Sequence, residues 1–168
     1  MPTHYLAYLQ LARLESTQNI NGTTSKEVKS GQCEAAIKVL KEGLSREELK
    51  DTLILRVELI RQQLQTTDAT NIAEANQELL ELKSEFKTFT PAVGVPLQLE
   101  LTVIESQIYA DAGDFEKAAK LLDPVLDSKE VKEMKAGSGL LSSAWIALGS
   151  YYDQLGRKEQ ANNCFLQA

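Results

Sequence analysis

The chain has 168 residues, 43% hydrophobic and 25% charged, with a net charge of −6. That size and balance fit one soluble domain with a core that needs no staples, burying roughly 70% of the unfolded surface. The acidic balance and the lack of any Lys/Arg-rich run argue against nucleic acid as a partner. No apolar run is long enough to span a bilayer, and the first residues lack the pattern of a secretory signal, so membrane insertion is not expected and a cytoplasmic location is. Cys33 and Cys164 each fall inside a helical pattern and read as buried, reduced thiols.

Helical periodicity runs through the chain and no strand pattern occurs. The first helix is expected over residues 3–15, with Leu6, Leu9 and Leu14 near one face and Tyr5, Tyr8 and Ala12 beside them. Residues 16–30, poor in apolar side chains, read as a mobile loop. In the next helix Ala36, Ile37, Leu40 and Leu44 recur at helical spacing. Ser45 and Glu48 form a capping-box pattern that predicts a long helix to about Gln65, carrying Leu49, Leu53, Val57, Ile60 and Leu64.

A turn at 66–70 leads to a helix with Ile72, Ala75, Leu79, Leu82 and Phe86 on one face. Residues 90–96 (TPAVGVP) read as a turn between hairpins. Residues 97–112 are then helical and end at Gly113. Pro124 should bend or shorten the following helix. Residues 129–139 read as a flexible, polar junction. A helix over 140–155 ends at Gly156, and a last helix covers 158–168.

A repeat runs through this pattern. Tyr109, Gly113, Ala118 and Leu122 align with Tyr152, Gly156, Ala161 and Phe165 at a constant offset of 43 residues. Gly31 and Ala36 fit the same frame. The four small residues Ala36, Ala75, Ala118 and Ala161 follow at spacings of 39, 43 and 43. A fixed period of this size marks an array of stacked helical hairpins. Glycine supplies the left-handed turn at a helix end, and alanine lets the second helix approach the first.

The last unit, with Trp145, Leu148, Gly149, Tyr152, Gly156, Ala161, Phe165 and Ala168, resembles the tetratricopeptide repeat (TPR) family. The unit before it keeps Tyr109, Gly113, Ala118 and Leu122 but has Thr102 and Glu105 at two signature positions. The first two units keep little beyond the small residue and the apolar face. The resemblance implies an all-α fold, a right-handed α-solenoid of about four helix-turn-helix (TPR-like) hairpins near 3–44, 45–89, 96–128 and 140–168, in a single domain. In this reading Trp145, Tyr152, Tyr109 and Phe165 are packing residues.

The resemblance also implies a concave groove on the first helices of the hairpins that takes a peptide or helix of a partner. The aligned groove candidates are Glu100, Val103, Ile104, Gln107 and Asp111, then Ser143, Ile146, Ala147, Ser150, Tyr151, Asp153 and Gln154. None is basic and none is asparagine, so capture of a terminal carboxylate is not expected. Small and apolar groups suit a hydrophobic or amphipathic segment, with a basic one favoured by the acidic balance. Tyr151, off the packing register, is the aromatic expected to meet a partner.

No enzyme is expected. The one histidine, His4, stands near the start. No metal-ligand spacing, phosphate-binding glycine loop or nucleophile elbow occurs, and no cofactor is implied. The expected function is therefore a non-enzymatic scaffold or adaptor within a larger assembly. The alternative is a homo-oligomer formed through the last repeat, which shows no capping helix after it; further C-terminal repeats would serve the same end.

Overall fold

The computed structural model describes residues 4–17, 26–134 and 139–168. Its described residues form nine α-helices and no strand: α1 (His4–Thr17), α2 (Lys26–Leu44), α3 (Leu53–Leu64), α4 (Ala69–Glu85), α5 (Pro91–Asp111), α6 (Phe115–Asp127), α7 (Lys129–Lys132), α8 (Gly139–Gln154) and α9 (Lys158–Gln167). The fold is all-α. No helix among the described residues is long and apolar enough to cross a membrane. The chain divides into two compact units, Met1–Glu81 and Leu82–Ala168.

In the first unit α1 packs on α2, and α3 packs on both. The buried stripe of α1 is Leu9 and Ala12, with Tyr5 and Tyr8 partly buried beside them. Positions 5, 8, 9 and 12 form one helical face. Leu6 and Leu14, expected on the core side, lie on the exposed side at 42% and 58%. Tyr5 and Tyr8 share the buried face with Leu9 and Ala12.

The capping box at Ser45 does not form. Ser45 Oγ donates to the Glu42 carbonyl at 2.7 Å, closing the preceding helix instead of opening the next. Residues 45–51 are turns, and α3 starts only after Thr52. Leu49 is still buried, in the turn, against the α1–α3 core. Of the loop expected over 16–30, residues 16–17 and 26–30 are helical, and residues 18–25 lie outside the described residues.

Helix α4 is tied to this core by charge. Arg56 on α3 pairs with Glu78. Glu74 accepts from Lys41 on α2 at 2.7 Å and from Gln63 on α3 at 2.8 Å. The one carboxylate bridges two helices, and Gln63 is 2% exposed, so its hydrogen bond is needed to offset burial.

In the second unit α5 pairs with α6 and α8 with α9, while α8 also packs on both α5 and α6. Residues 90–96 are not a turn. Thr90 is the N-cap and Pro91 the first residue of α5, where its missing N–H costs nothing. Gly94 N–H donates to the Thr90 carbonyl at 2.8 Å, so the helix is under way before Pro96. The chain break falls earlier, at a single 3-10 turn over Phe86–Thr88. Pro124 likewise sits inside α6, which runs on to Asp127.

The junction after α6 is partly anchored. Ser128 accepts from Val131 N–H and starts α7, whose Val131 is 1% exposed in the core of this unit. Residues 135–138 of that junction lie outside the described residues.

The two hairpin turns of the second unit are the same structure, 43 residues apart. Gly113 and Gly156 have φ of +83° and +74°. Asp114 N–H donates to the Tyr109 carbonyl, and Arg157 N–H to the Tyr152 carbonyl, both at 2.9 Å. Each is a Schellman ending, in which a left-handed residue lets the next amide reach back across the last helical turn. The aligned tyrosines thus supply the accepting carbonyls. A Cβ on either glycine would meet nothing within 4 Å. Gly113→Ala and Gly156→Ala should therefore each lose about 1–2 kcal/mol through backbone strain alone, measurable by urea denaturation.

Both cysteines are buried and free, as expected. Cys33 donates weakly to Gln65 at 3.7 Å. Burial raises the pKa of both thiols, with Glu34 adding at Cys33 and Asp123 at Cys164.

Candidate functional site

The groove candidates all lie on α5 and α8, the first helices of the two hairpins of the second unit, and these helices touch. Their side chains sort into a buried seam and an exposed border. Ile104 is 6% exposed and Tyr151 is 4% exposed. Neither is free to meet a partner by its side chain. Val103 is half-buried against the core that holds Tyr151.

Tyr151 is the main correction. Its ring packs beside Phe115, with centroids 6.4 Å apart. Its hydroxyl lies 3.2 Å from Ser106 Oγ and donates to Gln107 Oε1 at 3.4 Å. Ser106, fully buried, donates its own proton to the Val103 carbonyl at 2.8 Å. With that proton spent, Ser106 can only accept, so the single Tyr151 proton is shared between Ser106 Oγ and Gln107 Oε1. Burial raises the Tyr151 pKa; the Ser106 contact opposes this and the charge of Asp111 adds to it.

Tyr151 is thus the bolt between α5 and α8 and not an exposed contact. Tyr151 joins the first helices of the two hairpins of the second unit. Ser106, its buried partner, was not singled out in the sequence. The available signal was its place three residues after Val103 and four before Ala110, on a stripe otherwise apolar.

The exposed border has a plain character. On α5, Gln107 donates to Asp111 Oδ1 at 2.8 Å, so the line from Tyr151 through Gln107 ends on a solvent-facing carboxylate. Glu100, one turn earlier than Val103, is half-buried. On α8, Ile146 is 50% exposed, Ala147 is half-buried, and Ser143, Ser150, Asp153 and Gln154 are exposed. Ser143 and Ser150 spend their hydroxyl protons on the carbonyls four residues back, at 2.7 and 2.9 Å. They present oxygen lone pairs and little bulk.

This border can offer an apolar contact at Ile146, neutral acceptors around it and one or two carboxylates along its α5 side. It holds no paired nucleophile and base. Among the described residues no group of three or more His, Cys, Asp and Glu side chains is placed to hold a metal ion. Comparisons with protein-family models, with curated proteins and with solved structures found no match.

Proposed function

We propose that the chain is a right-handed α-solenoid of TPR-like hairpins acting as a non-enzymatic protein-interaction scaffold, within a larger assembly. The scaffold takes a hydrophobic or amphipathic segment of a partner along the first helices of its hairpins. The observation that carries this reading is Ile146, half exposed among small side chains, on a helix whose neighbour is fixed by a buried hydrogen bond. A rigid seam under an adaptable border suits binding, because little ordering is left for association to cost. The order of helix contacts supports the architecture: in both units the second helix of one hairpin packs on the first helix of the next.

Ile146→Asp tests it. The side chain is exposed, so stability should change by no more than about 0.5 kcal/mol. Capture of a protein partner should weaken by about tenfold or more, the mark of a central anchor. Crosslinkers placed at Ser143, Ile146 and Gln154 should map the partner to this border. Crosslinks confined to α6 and α9, or unchanged capture by Ile146→Asp, would overturn the proposal.

One observation favours a second reading, self-association. Helix α9 exposes Leu166 at 82% and Phe165 at 44%. The Phe165 ring leans on Gly149, where a Cβ would come within 2.6 Å of it, so only part of the ring is covered. Sedimentation over a range of concentrations separates the readings: a dimer abolished by Leu166→Glu supports self-association.

A further inference from the structure

Helix α5 opens against the usual pattern. The first turn of a helix favours acidic and polar side chains, because its free N–H groups carry partial positive charge. The first turn of α5 has no acidic residue. Pro91 and Ala92 are exposed there, and Val93 is 43% exposed. Starting the helix does not require three exposed apolar residues in a row, since Thr90 as N-cap and Pro91 already do so.

Pro91 and Ala92, with Val95 and Pro96 one turn on, form one wall of a groove of about 500 Å³. The facing wall is Glu130 on α7, with Glu133 and Met134 just after that helix. The apolar lining reaches the surface: Pro91 and Ala92 are exposed, and Val95, Pro96 and Met134 are half-buried. Both walls are fixed. Val95 and Met134 pack on the core of the second unit, and Val131, 1% exposed, holds α7 in it.

Only two charged side chains line the groove, and both are carboxylates. Glu130 has no ion pair among the described residues. Glu133 meets Lys129 at 3.6 Å, but the two side chains are 66% and 81% exposed, so solvent and salt screen the pair. The neighbouring Lys132 is held by Asp127. The groove thus sets negative charge opposite an accessible apolar wall, with no cation in its lining.

We propose that this groove is a docking site for a basic amphipathic segment of a partner polypeptide. An apolar side chain of the segment lies along Pro91, Ala92 and Pro96, and a lysine or arginine beside it pairs with Glu130 and Glu133. The carboxylates select the sign of the charge, since an acidic segment would leave them facing like charge. The wall selects the apolar part, since a purely polar cation would leave Pro91 and Ala92 in water. Proline and alanine have no side-chain rotamers to lose, so the wall needs little ordering on binding, and Met134 can adjust to the guest. The site lies on the first two turns of α5, ahead of Glu100, and does not rest on the α5–α8 border.

The test titrates the full chain with a synthetic peptide, capped at both ends, of sequence Ala-Leu-Lys-Ala-Leu-Lys-Ala. Calorimetry should show saturable one-to-one binding that weakens with added salt, and NMR shifts should gather on residues 91–96 and 129–134. A peptide with both lysines replaced by glutamine, and one with both leucines replaced by serine, should each bind about tenfold more weakly or worse. Glu130→Gln combined with Glu133→Gln should cost a similar factor. Ala92→Gln should weaken binding while leaving the urea midpoint unchanged, because the position is exposed. Ile146→Asp should leave this binding as it is, which separates the groove from the proposed scaffold border. Either control peptide binding as tightly as the parent, either set of groove substitutions having no effect, shifts gathered elsewhere, or no binding at all would each overturn the proposal.

Discussion

Tyr151→Ala is expected to cost about 3–5 kcal/mol, the range for deleting a buried aromatic ring. The ring fills the seam between α5 and α8 beside Phe115. Tyr151→Phe should cost far less, about 0.5–1.5 kcal/mol, because it removes only the hydroxyl proton shared between Ser106 and Gln107 and leaves Ser106 bonded to the Val103 carbonyl. Urea denaturation of the full chain measures both. Near-equal losses would mean that the hydroxyl, and not the ring, holds the seam.

The same residue sets a pH dependence. Its pKa is raised in the fold, so the folded chain keeps the proton at a pH where the unfolded chain has lost it. The unfolded state then binds fewer protons, and stability falls with rising pH. The contribution of Tyr151 is complete below about pH 10, the ordinary tyrosine value, and is lost as pH climbs through the raised one. Tyr151→Phe should flatten that alkaline decline. Tyr152, also raised, leaves part of it in place.

Ala118→Leu and Ala161→Leu should each destabilise by about 1–3 kcal/mol, the range for overpacking a close helix crossing. Ala118 is 0% and Ala161 2% exposed, each on the second helix of its hairpin. The matching positions Ala36 and Ala75 are also 0% exposed. The same change at exposed Ala112 should stay within about 0.5 kcal/mol. Chemical denaturation of the three variants decides whether the repeated alanine is a packing requirement or an accident of composition.

Those alanines show what the sequence made legible. A small residue repeating at a fixed distance, followed by a large one, is read from identity and spacing alone. The Tyr–Gly pairs at 109/113 and 152/156 belong to the same class, since a Schellman ending is local. Reading failed where the outcome depends on a competitor in space. Ser45 matched a capping box, but the Glu42 carbonyl took its hydroxyl first. Pro91 and Pro96 looked like a break, yet Pro91 falls at the one helical position that suits it. Leu6 and Leu14 lie outside the buried face of α1, which Tyr5 and Tyr8 share with Leu9 and Ala12. Tyr151 and Ile104 matched groove positions, and both are buried. Of the candidate border, Gln107, Asp111, Ile146, Ser150 and Gln154 are exposed as a binding surface requires.

The chain has a single tryptophan, and Trp145 belongs to the second unit. All indole emission therefore reports that unit and is silent on the first. Far-ultraviolet dichroism, in contrast, averages the helices of both. Recording the two signals on one sample turns an accident of composition into a gauge of cooperativity: superimposed curves mean one folding block, and separated curves mean two, with the emission curve telling which is which.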